Sequence, residues 1–108
     1  SGGEPFLQAA ACARLAQAAH QVHWSVWTYT GFRYEAILAA GNPGWNALIS
    51  ETDVLVDGPY IEAEGSYELP FRGSRNQRLI DVAKSRASGS GVLWNQDDRL
   101  DHFSVPES

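Results

Sequence analysis

The chain has 108 residues, of which 44% are hydrophobic and 19% are charged, a composition that suits one small folded domain. Eight basic against thirteen acidic side chains give a formal net charge of −5, so we do not expect a nucleic-acid partner, which needs a basic face. No apolar run approaches the ~18 residues of a membrane span, so no membrane partner is expected either. The single cysteine excludes an internal disulfide and a metal cage made of cysteines alone.

The first half of the chain predicts a helix, a strand and two further helices. Residues 5–22 carry apolar side chains at helical spacing. These positions are Leu7, Ala11, Leu15, Ala18 and Val22. The β-branched and aromatic run 25–30 is typical of a strand. A short helix over residues 34–40 is predicted to end at Gly41, and Asn42 is the candidate N-cap of the next helix, which extends to residue 49.

The second half predicts shorter elements separated by a long loop. Residues 53–58 form a near-continuous apolar run, which is typical of a strand buried on both faces in a parallel sheet. Residues 59–76 predict a loop, residues 79–82 another strand, and residues 92–94 a last strand. The segment from Ala83 onward resembles a linker, and residues 97–108 predict a frayed end. We therefore expect an α/β domain over residues 1–85 and a linker-like segment with a tail over residues 86–108.

The order of these elements predicts an α/β fold with mostly parallel strands. Ligand sites in such sheets lie at the carboxyl ends of the strands, here at residues 30–31 and 57–58. Residues 1–4 precede the first helix, so we expect them at the carboxyl end of a strand that the chain does not contain. The sequence also holds no methionine. We therefore expect a segment of a longer protein, with an exposed sheet edge and an uncovered helix.

The opening residues hold the first candidate site. Gly2 and Gly3 allow the backbone to approach a ligand closely, and the Glu4 carboxylate can accept hydrogen bonds from an ammonium group. A strand-to-helix turn with a capping acid explains the same residues equally well. Thr28 and Thr30 share one face of their strand because side chains alternate. We assign Thr28 to the core and Thr30, at the end of the strand, to a pocket.

Four blocks of sequence carry a resemblance to a known family. They read SGGEPF at residues 1–6, VWTYTGF at 26–32, TDVLVDGPY at 52–60 and FRGSRNQRLID at 71–81. In this order and spacing they resemble radical S-adenosylmethionine (SAM) proteins, in particular the anaerobic ribonucleotide reductase activating proteins and the related pyruvate formate-lyase activases. The first block is shared widely by radical SAM proteins, whereas the last two are specific to this branch.

The resemblance implies that residues 1–85 are the C-terminal part of a radical SAM α/β barrel, a partial barrel whose carboxyl-end loops hold a [4Fe-4S] cluster and SAM. In such proteins the Gly-Gly-Glu segment lines the methionine end of SAM, and its acid receives the amino group. Here that role would fall to Glu4, with backbone contacts from Gly2 and Gly3. Thr30 and Asp57 are further candidate SAM contacts, although Asp57 is as well explained as a turn-forming acid before Gly58 and Pro59.

The polar loop residues have two interpretations under the resemblance. These residues are Arg72, Asn76, Gln77 and Arg78. They either contact SAM or the partner protein, or they form a hydrogen-bonded clasp that closes the domain. We favour the clasp, since Asn and Gln often satisfy loop backbone groups.

The activity implied by the resemblance is reductive cleavage of SAM in a cytoplasmic, oxygen-sensitive enzyme. The resulting radical takes a hydrogen atom from a glycine of the partner, an anaerobic ribonucleotide reductase or another glycyl-radical protein. Flavodoxin or ferredoxin is the expected electron donor.

The chain departs from this family at the cluster ligands. The Cys-x-x-x-Cys-x-x-Cys loop is not in the sequence, and we interpret Cys12, within a predicted helix, as a core residue. His20 and His23 lack further ligands and His102 lies in the tail, so we assign no metal ligand and no catalytic residue. The chain alone is therefore expected to be inactive.

Two alternatives to an enzyme remain at this point. One is a non-catalytic or degenerate SAM-binding or interaction module without a cluster. The other is a different nucleotide-binding α/β protein, which the missing Gly-x-Gly-x-x-Gly string disfavours.

Overall fold

The computed structural model describes residues 3–95, and in it the first predicted helix has two parts. A 3-10 turn at Pro5–Gln8 leads into α1 (Ala9–Gln21). Proline suits the first position because its missing N–H has no partner within a helix. With 13 residues, α1 is the longest helix of the described part, where no helix has the length and apolar content needed to cross a membrane.

The buried face of α1 is made of small residues. Ala9, Ala13 and Ala16 pack inward, and α1 lies against a helix further along the chain. The larger apolar residues of the predicted stripe face outward: Leu7, Leu15 and Val22 are all exposed. The helical spacing was therefore predicted correctly, but it does not identify the residues that form the core.

Two helices connect the first two strands. β1 (Trp27–Tyr29) leads to α2 (Tyr34–Ala40), α3 (Pro43–Ser50) and β2 (Val54–Asp57). The predicted boundary between α2 and α3 is confirmed. Gly41 ends α2 in the left-handed conformation at φ 60°, and the Asn42 side chain accepts a hydrogen bond of 3.1 Å from the backbone N of Trp45.

The sheet is mixed rather than mostly parallel. Its order is β1-β2-β3, with β3 at Arg78–Asp81; β1 and β2 are parallel, whereas β2 and β3 are antiparallel. A parallel neighbour to β2 would need a crossover, usually a helix. Residues 58–77 instead form a loop with one 3-10 turn at Glu62–Glu64, and the chain returns in the opposite direction. The expectation of an α/β fold is confirmed, and the partial barrel stays a prediction.

The two faces of the sheet are covered differently. Thr28, Leu55 and Ile80 are in register on the face that packs against the helices, and all three are buried. The main core consists of residues from the strands and helices: Phe6, Ala9, Ala13, Tyr34, Ile37, Leu48, Ile49, Leu55, Ile80 and Val82. Trp27 lies on the other face, where its ring centroid is 5.2 Å from that of Phe71 and 5.0 Å from that of Trp94.

The predicted linker is wrong for residues 83–88, which form helix α4 (Val82–Ser88). The Asp81 carboxylate caps this helix by accepting a 3.0 Å hydrogen bond from the backbone N of Lys84, and Gly89 ends it at φ 83°. The predicted boundary between residues 85 and 86 thus falls inside a helix. The predicted strand at residues 92–94 is reduced to a single bridge between Leu93 and Ile80, and the predicted frayed end at residues 97–108 lies outside the described residues.

Candidate functional site

Glu4 is bound to the carboxyl end of β1. Its Oε2 accepts hydrogen bonds from the Thr30 hydroxyl at 2.7 Å and from the backbone N of Phe6 at 3.1 Å. Its Oε1 accepts a third, of 2.7 Å, from the backbone N of Gly31. The structure thus brings together Glu4 and Thr30, two of the residues that the sequence nominated for one site. Gly2, nominated with them, lies outside the described residues.

The Glu4 carboxylate has capacity for a further donor. An ionised carboxylate offers about four acceptor positions, and the three bonds leave one of them available on Oε1. Gly3 precedes it, and none of the described residues lies within 4 Å of where a Gly3 side chain would begin, so they leave this side of the backbone open. The arrangement can therefore accept a hydrogen bond from a ligand cation without losing the contacts that hold Glu4 in place.

An open groove of about 540 Å³ runs beside β1. Gly3 and Pro5 border it together with residues of α1 and β1, among them Leu15 and Trp27. Thr28 also borders it, but its hydroxyl is buried and hydrogen-bonded at 2.9 Å to that of Thr52, in agreement with its assignment to the core. The groove is therefore largely apolar. Glu4 lies between Gly3 and Pro5, which both border it.

Asp57 is buried in an ion pair. Arg78, its register partner across the antiparallel strands, donates through Nε to Oδ1 at 3.0 Å and through Nη2 to Oδ2. The backbone N of Tyr34 donates to the same Oδ2 at 2.7 Å. Arg78 also binds Glu35 on α2, at 2.7 and 3.2 Å. The hydrogen bonds that Arg78 donates to Asp57 and then to Glu35 raise the pKa of Arg78, and the bond that Glu35 accepts from Arg78 lowers the pKa of Glu35.

The other three polar residues of the predicted cluster bind backbone atoms of their own loop. Arg72 donates to the carbonyl oxygens of Arg75 at 3.2 Å and Gln77 at 2.7 Å. The Gln77 amide donates to the Gly58 carbonyl at 2.9 Å, and that of Asn76 to the Pro59 carbonyl at 2.8 Å. These bonds join the two ends of the loop, which is the geometry of a clasp. They leave a role toward SAM or a partner as a prediction.

Two features of the structure have no signal in the sequence. The His20 imidazole lies between the carboxylates of Glu51 and Asp53, more than thirty residues away. The backbone of Phe71 adopts φ 69°, a conformation that residues other than glycine rarely take. Its carbonyl oxygen accepts a 2.9 Å hydrogen bond from the Tyr29 hydroxyl, and its ring packs against Trp27. Both arrangements depend on contacts between distant segments, which spacing along the chain does not reveal.

Comparison with known proteins gives a family. Residues 1–80 match the family described as 4Fe-4S single cluster domain, which is found in radical SAM-related proteins. No curated protein and no solved structure matches the chain. The match associates the chain with iron–sulfur redox proteins and supports an iron–sulfur cofactor. It does not distinguish the activating-protein branch from others.

The residues of this chain do not fit a [4Fe-4S] cluster by themselves. Such a cluster is held by cysteine thiolates, typically four, and the sequence contains only Cys12, which lies half-buried in α1. Among residues 3–95 no three His, Cys, Asp or Glu side chains are grouped so that they could hold a metal ion. A [4Fe-4S] cluster in this protein would therefore need ligands that these 108 residues do not contain.

Proposed function

The chain belongs to the family of 4Fe-4S single cluster domains, and we propose that it supplies the SAM-binding part of a radical SAM activating enzyme. The intact enzyme would cleave SAM reductively and generate a glycyl radical on an anaerobic ribonucleotide reductase or another glycyl-radical protein. Its cluster would be held by cysteines that this chain does not contain, and flavodoxin or ferredoxin would deliver the electron.

The position of Glu4 carries this proposal. Its carboxylate is fixed by Thr30 and Gly31 at the end of a strand, where ligands of α/β sheets bind. The remaining acceptor position on Oε1 suits the ammonium group of the methionine part of SAM. Hydrogen bonds between charged partners are roughly twice as strong as neutral ones, so this contact would fix the orientation of the cosubstrate.

The open side of the domain also supports the proposal. β1 is an edge strand of the described sheet, and edge strands carry backbone groups that a further strand can pair with. Leu15 of α1 borders the groove beside β1 with 72% of its surface accessible, and Leu7 and Val22, on either side of α1, are exposed as well. Such apolar faces mark interaction sites. In the proposed enzyme the segment that carries the cluster packs here, next to Gly3 and Glu4.

Glu4→Gln tests the assignment, with SAM and 5′-methylthioadenosine as the two ligands. The variant keeps an oxygen acceptor for the Thr30 hydroxyl and the backbone N of Phe6, but it places an amide NH2, which cannot accept, at the Oε1 position and removes the charge. Since a hydrogen bond to a charged group contributes about 1.5–3 kcal/mol, we expect SAM affinity to fall by about 10- to 150-fold. Isothermal titration calorimetry of the 108-residue chain measures both ligands.

5′-Methylthioadenosine is the internal control, because it lacks the amino group. Its affinity should be the same for Glu4→Gln and for the native chain. A native chain and a variant that bind SAM equally well, with 5′-methylthioadenosine also unchanged, would remove Glu4 from the site.

A non-catalytic module without a cluster is the second candidate function. It is favoured by the single cysteine of the sequence. The reading frame upstream of Ser1 separates the two candidates. A Cys-x-x-x-Cys-x-x-Cys segment encoded there decides for the enzyme, and a reading frame without one decides for the module.

A further inference from the structure

A histidine between two carboxylates lies outside the proposed SAM site. His20 occupies the last turn of α1, with Nδ1 3.0 Å from Glu51 Oε1 and Nε2 2.8 Å from Asp53 Oδ2. Glu51 follows α3 directly and Asp53 precedes β2. The imidazole therefore connects the end of one helix to the segment that leads into the central strand.

The two contacts together require a charged imidazole. A neutral imidazole has one N–H donor and one lone pair, whereas an ionised carboxylate only accepts. With a neutral ring, one of the two contacts would thus place the lone pair of a ring nitrogen against a lone pair of a carboxylate oxygen. Protonated His20 donates from both nitrogens, and both contacts become charge-assisted hydrogen bonds. The hydrogen bonds to Asp53 and then Glu51 raise the pKa of His20, against the opposing effect of its slight burial.

The same carboxylate holds the start of β1. Asp53 Oδ2 also accepts a 2.7 Å hydrogen bond from the backbone N of Val26, and the backbone N of Asp53 donates to the Val26 carbonyl at 2.8 Å. Ser25 and Val26 border the groove beside β1. The connection from α1 to β1 passes through His23, whose φ of 66° is unfavourable for a side chain. His20 thus binds the carboxylate that holds a strained connection against the sheet.

We propose that His20 is a pH-dependent staple for the groove wall, by which we mean residues 25–26 just before β1. Charged His20 holds this wall in place through Asp53, and neutral His20 releases it. Glu51 and Asp53 are the charged groups that face His20. α3, against which α1 packs, contains no ionisable residue, and the other charged residue of α1, Arg14, lies nearly two turns away. A ligand or polypeptide that enters the groove therefore meets a wall whose mobility depends on pH.

The direction of the pH effect follows from the raised pKa. The staple contributes its full stabilisation at pH values below the pKa of histidine in the unfolded chain, which is about 6.5. Its contribution is lost as the pH rises through the higher value of the folded protein. At acidic pH the groove wall is held, and at alkaline pH it opens more often.

NMR of the 108-residue chain tests both parts of the proposal. The ring signals of His20 report its pKa, and amide hydrogen exchange at Val26 and Asp53 reports the opening of the wall. Exchange is taken relative to amides of β2, which removes the intrinsic dependence of exchange on pH. Glu51→Gln and Asp53→Asn keep an oxygen acceptor and remove one charge each. His23→Gln is the matched control on the same segment.

We expect the pKa of His20 to lie above the ordinary value and to fall toward it in Glu51→Gln and Asp53→Asn. Relative exchange at Val26 should rise by roughly tenfold or more as the native chain passes through the pKa of His20. In His20→Gln the relative exchange at Val26 should be independent of pH. In His23→Gln it should depend on pH as it does in the native chain. A His20 pKa at or below the ordinary value overturns the proposal. A rise in Val26 exchange with pH that persists in His20→Gln also overturns it. Should His20→Gln fail to fold, an unchanged rise in both Glu51→Gln and Asp53→Asn overturns it instead.

Discussion

Thr30 is the residue through which β1 holds the amino-terminal segment. Thr30 as a whole is 5% exposed. Its hydroxyl donates a hydrogen bond to Glu4 and accepts one of 3.1 Å from the backbone N of Phe32. A valine has nearly the same shape but no hydroxyl. Thr30→Val therefore leaves a partly buried carboxylate oxygen and a backbone N–H each without one partner.

We expect Thr30→Val to lower the free energy of unfolding by about 1–3 kcal/mol, the cost of leaving such groups unpaired. Thr30→Ser is the matched control, because it keeps both hydrogen bonds and loses only a methyl group. Urea unfolding with linear extrapolation measures the difference. Equal stability of the valine and serine variants would contradict the role given to the Thr30 hydroxyl.

Single residues could be predicted where their surroundings are local. Glu4 and Thr30 were nominated because one precedes a helix and the other ends a strand, and both features are visible over a few residues. Asp57 was nominated for the same reason, but its partner was not found. Arg78 meets it only because β3 returns antiparallel to β2 and places the two residues opposite each other. A parallel sheet, as predicted, would have separated them.

At the scale of elements, the ion pair of Asp57 and Arg78 ties α2, β2 and β3 together. Asp57 is completely buried, whereas the second acid on Arg78, Glu35, is largely exposed. Removing one partner of a buried pair leaves an uncompensated charge and costs about 3–5 kcal/mol. Exposed pairs contribute only about 0–1 kcal/mol.

The two acids therefore give a matched pair of substitutions. We expect Asp57→Asn to lower the free energy of unfolding by about 3 kcal/mol or more, and Glu35→Gln by less than about 1 kcal/mol. Chemical denaturation of both variants under the same conditions gives the comparison. Similar losses for the two would show that the burial of Asp57 does not determine the strength of this junction.

The elements themselves were predicted best where glycine, proline and asparagine mark their ends. Gly41 and Asn42 identified the boundary between α2 and α3 correctly. The misinterpreted α4 is short and contains serines and an arginine, a composition shared with linkers. It forms because Asp81 caps it and Val82 is buried in the core. Burial of that kind depends on the tertiary fold, and no local pattern reveals it.

At the scale of the whole molecule, the described domain is closed on one side and open on the other. The edge of the sheet beyond β3 is covered by the bridge to Leu93, whereas β1 has one strand neighbour among residues 3–95. The open edge and the exposed Leu15 of α1 lie around one groove. An uncovered helix and sheet edge were expected from the sequence, since residues 1–4 suggested a preceding strand. The sequence did not predict which face of α1 is uncovered, because the helix has apolar residues on two faces.

The two faces of α1 make opposite predictions at nearby positions. Leu15 is exposed beside the groove, whereas Ala13 is 5% exposed and belongs to the core. Leu15→Lys should leave the free energy of unfolding within about 0.5 kcal/mol, as for surface substitutions. Ala13→Leu should cost about 1–3 kcal/mol, because a larger side chain does not fit a packed interface.

Urea unfolding of the two variants decides which face belongs to the core. The proposed function adds a second measurement, because the cluster-bearing segment would cover Leu15 in the intact enzyme. There Leu15→Lys should destabilise the protein by more than it does in the 108-residue chain. An equal, negligible effect in both would mean that the groove face stays open in the complete protein, and the cluster-bearing segment would then have to be attached elsewhere.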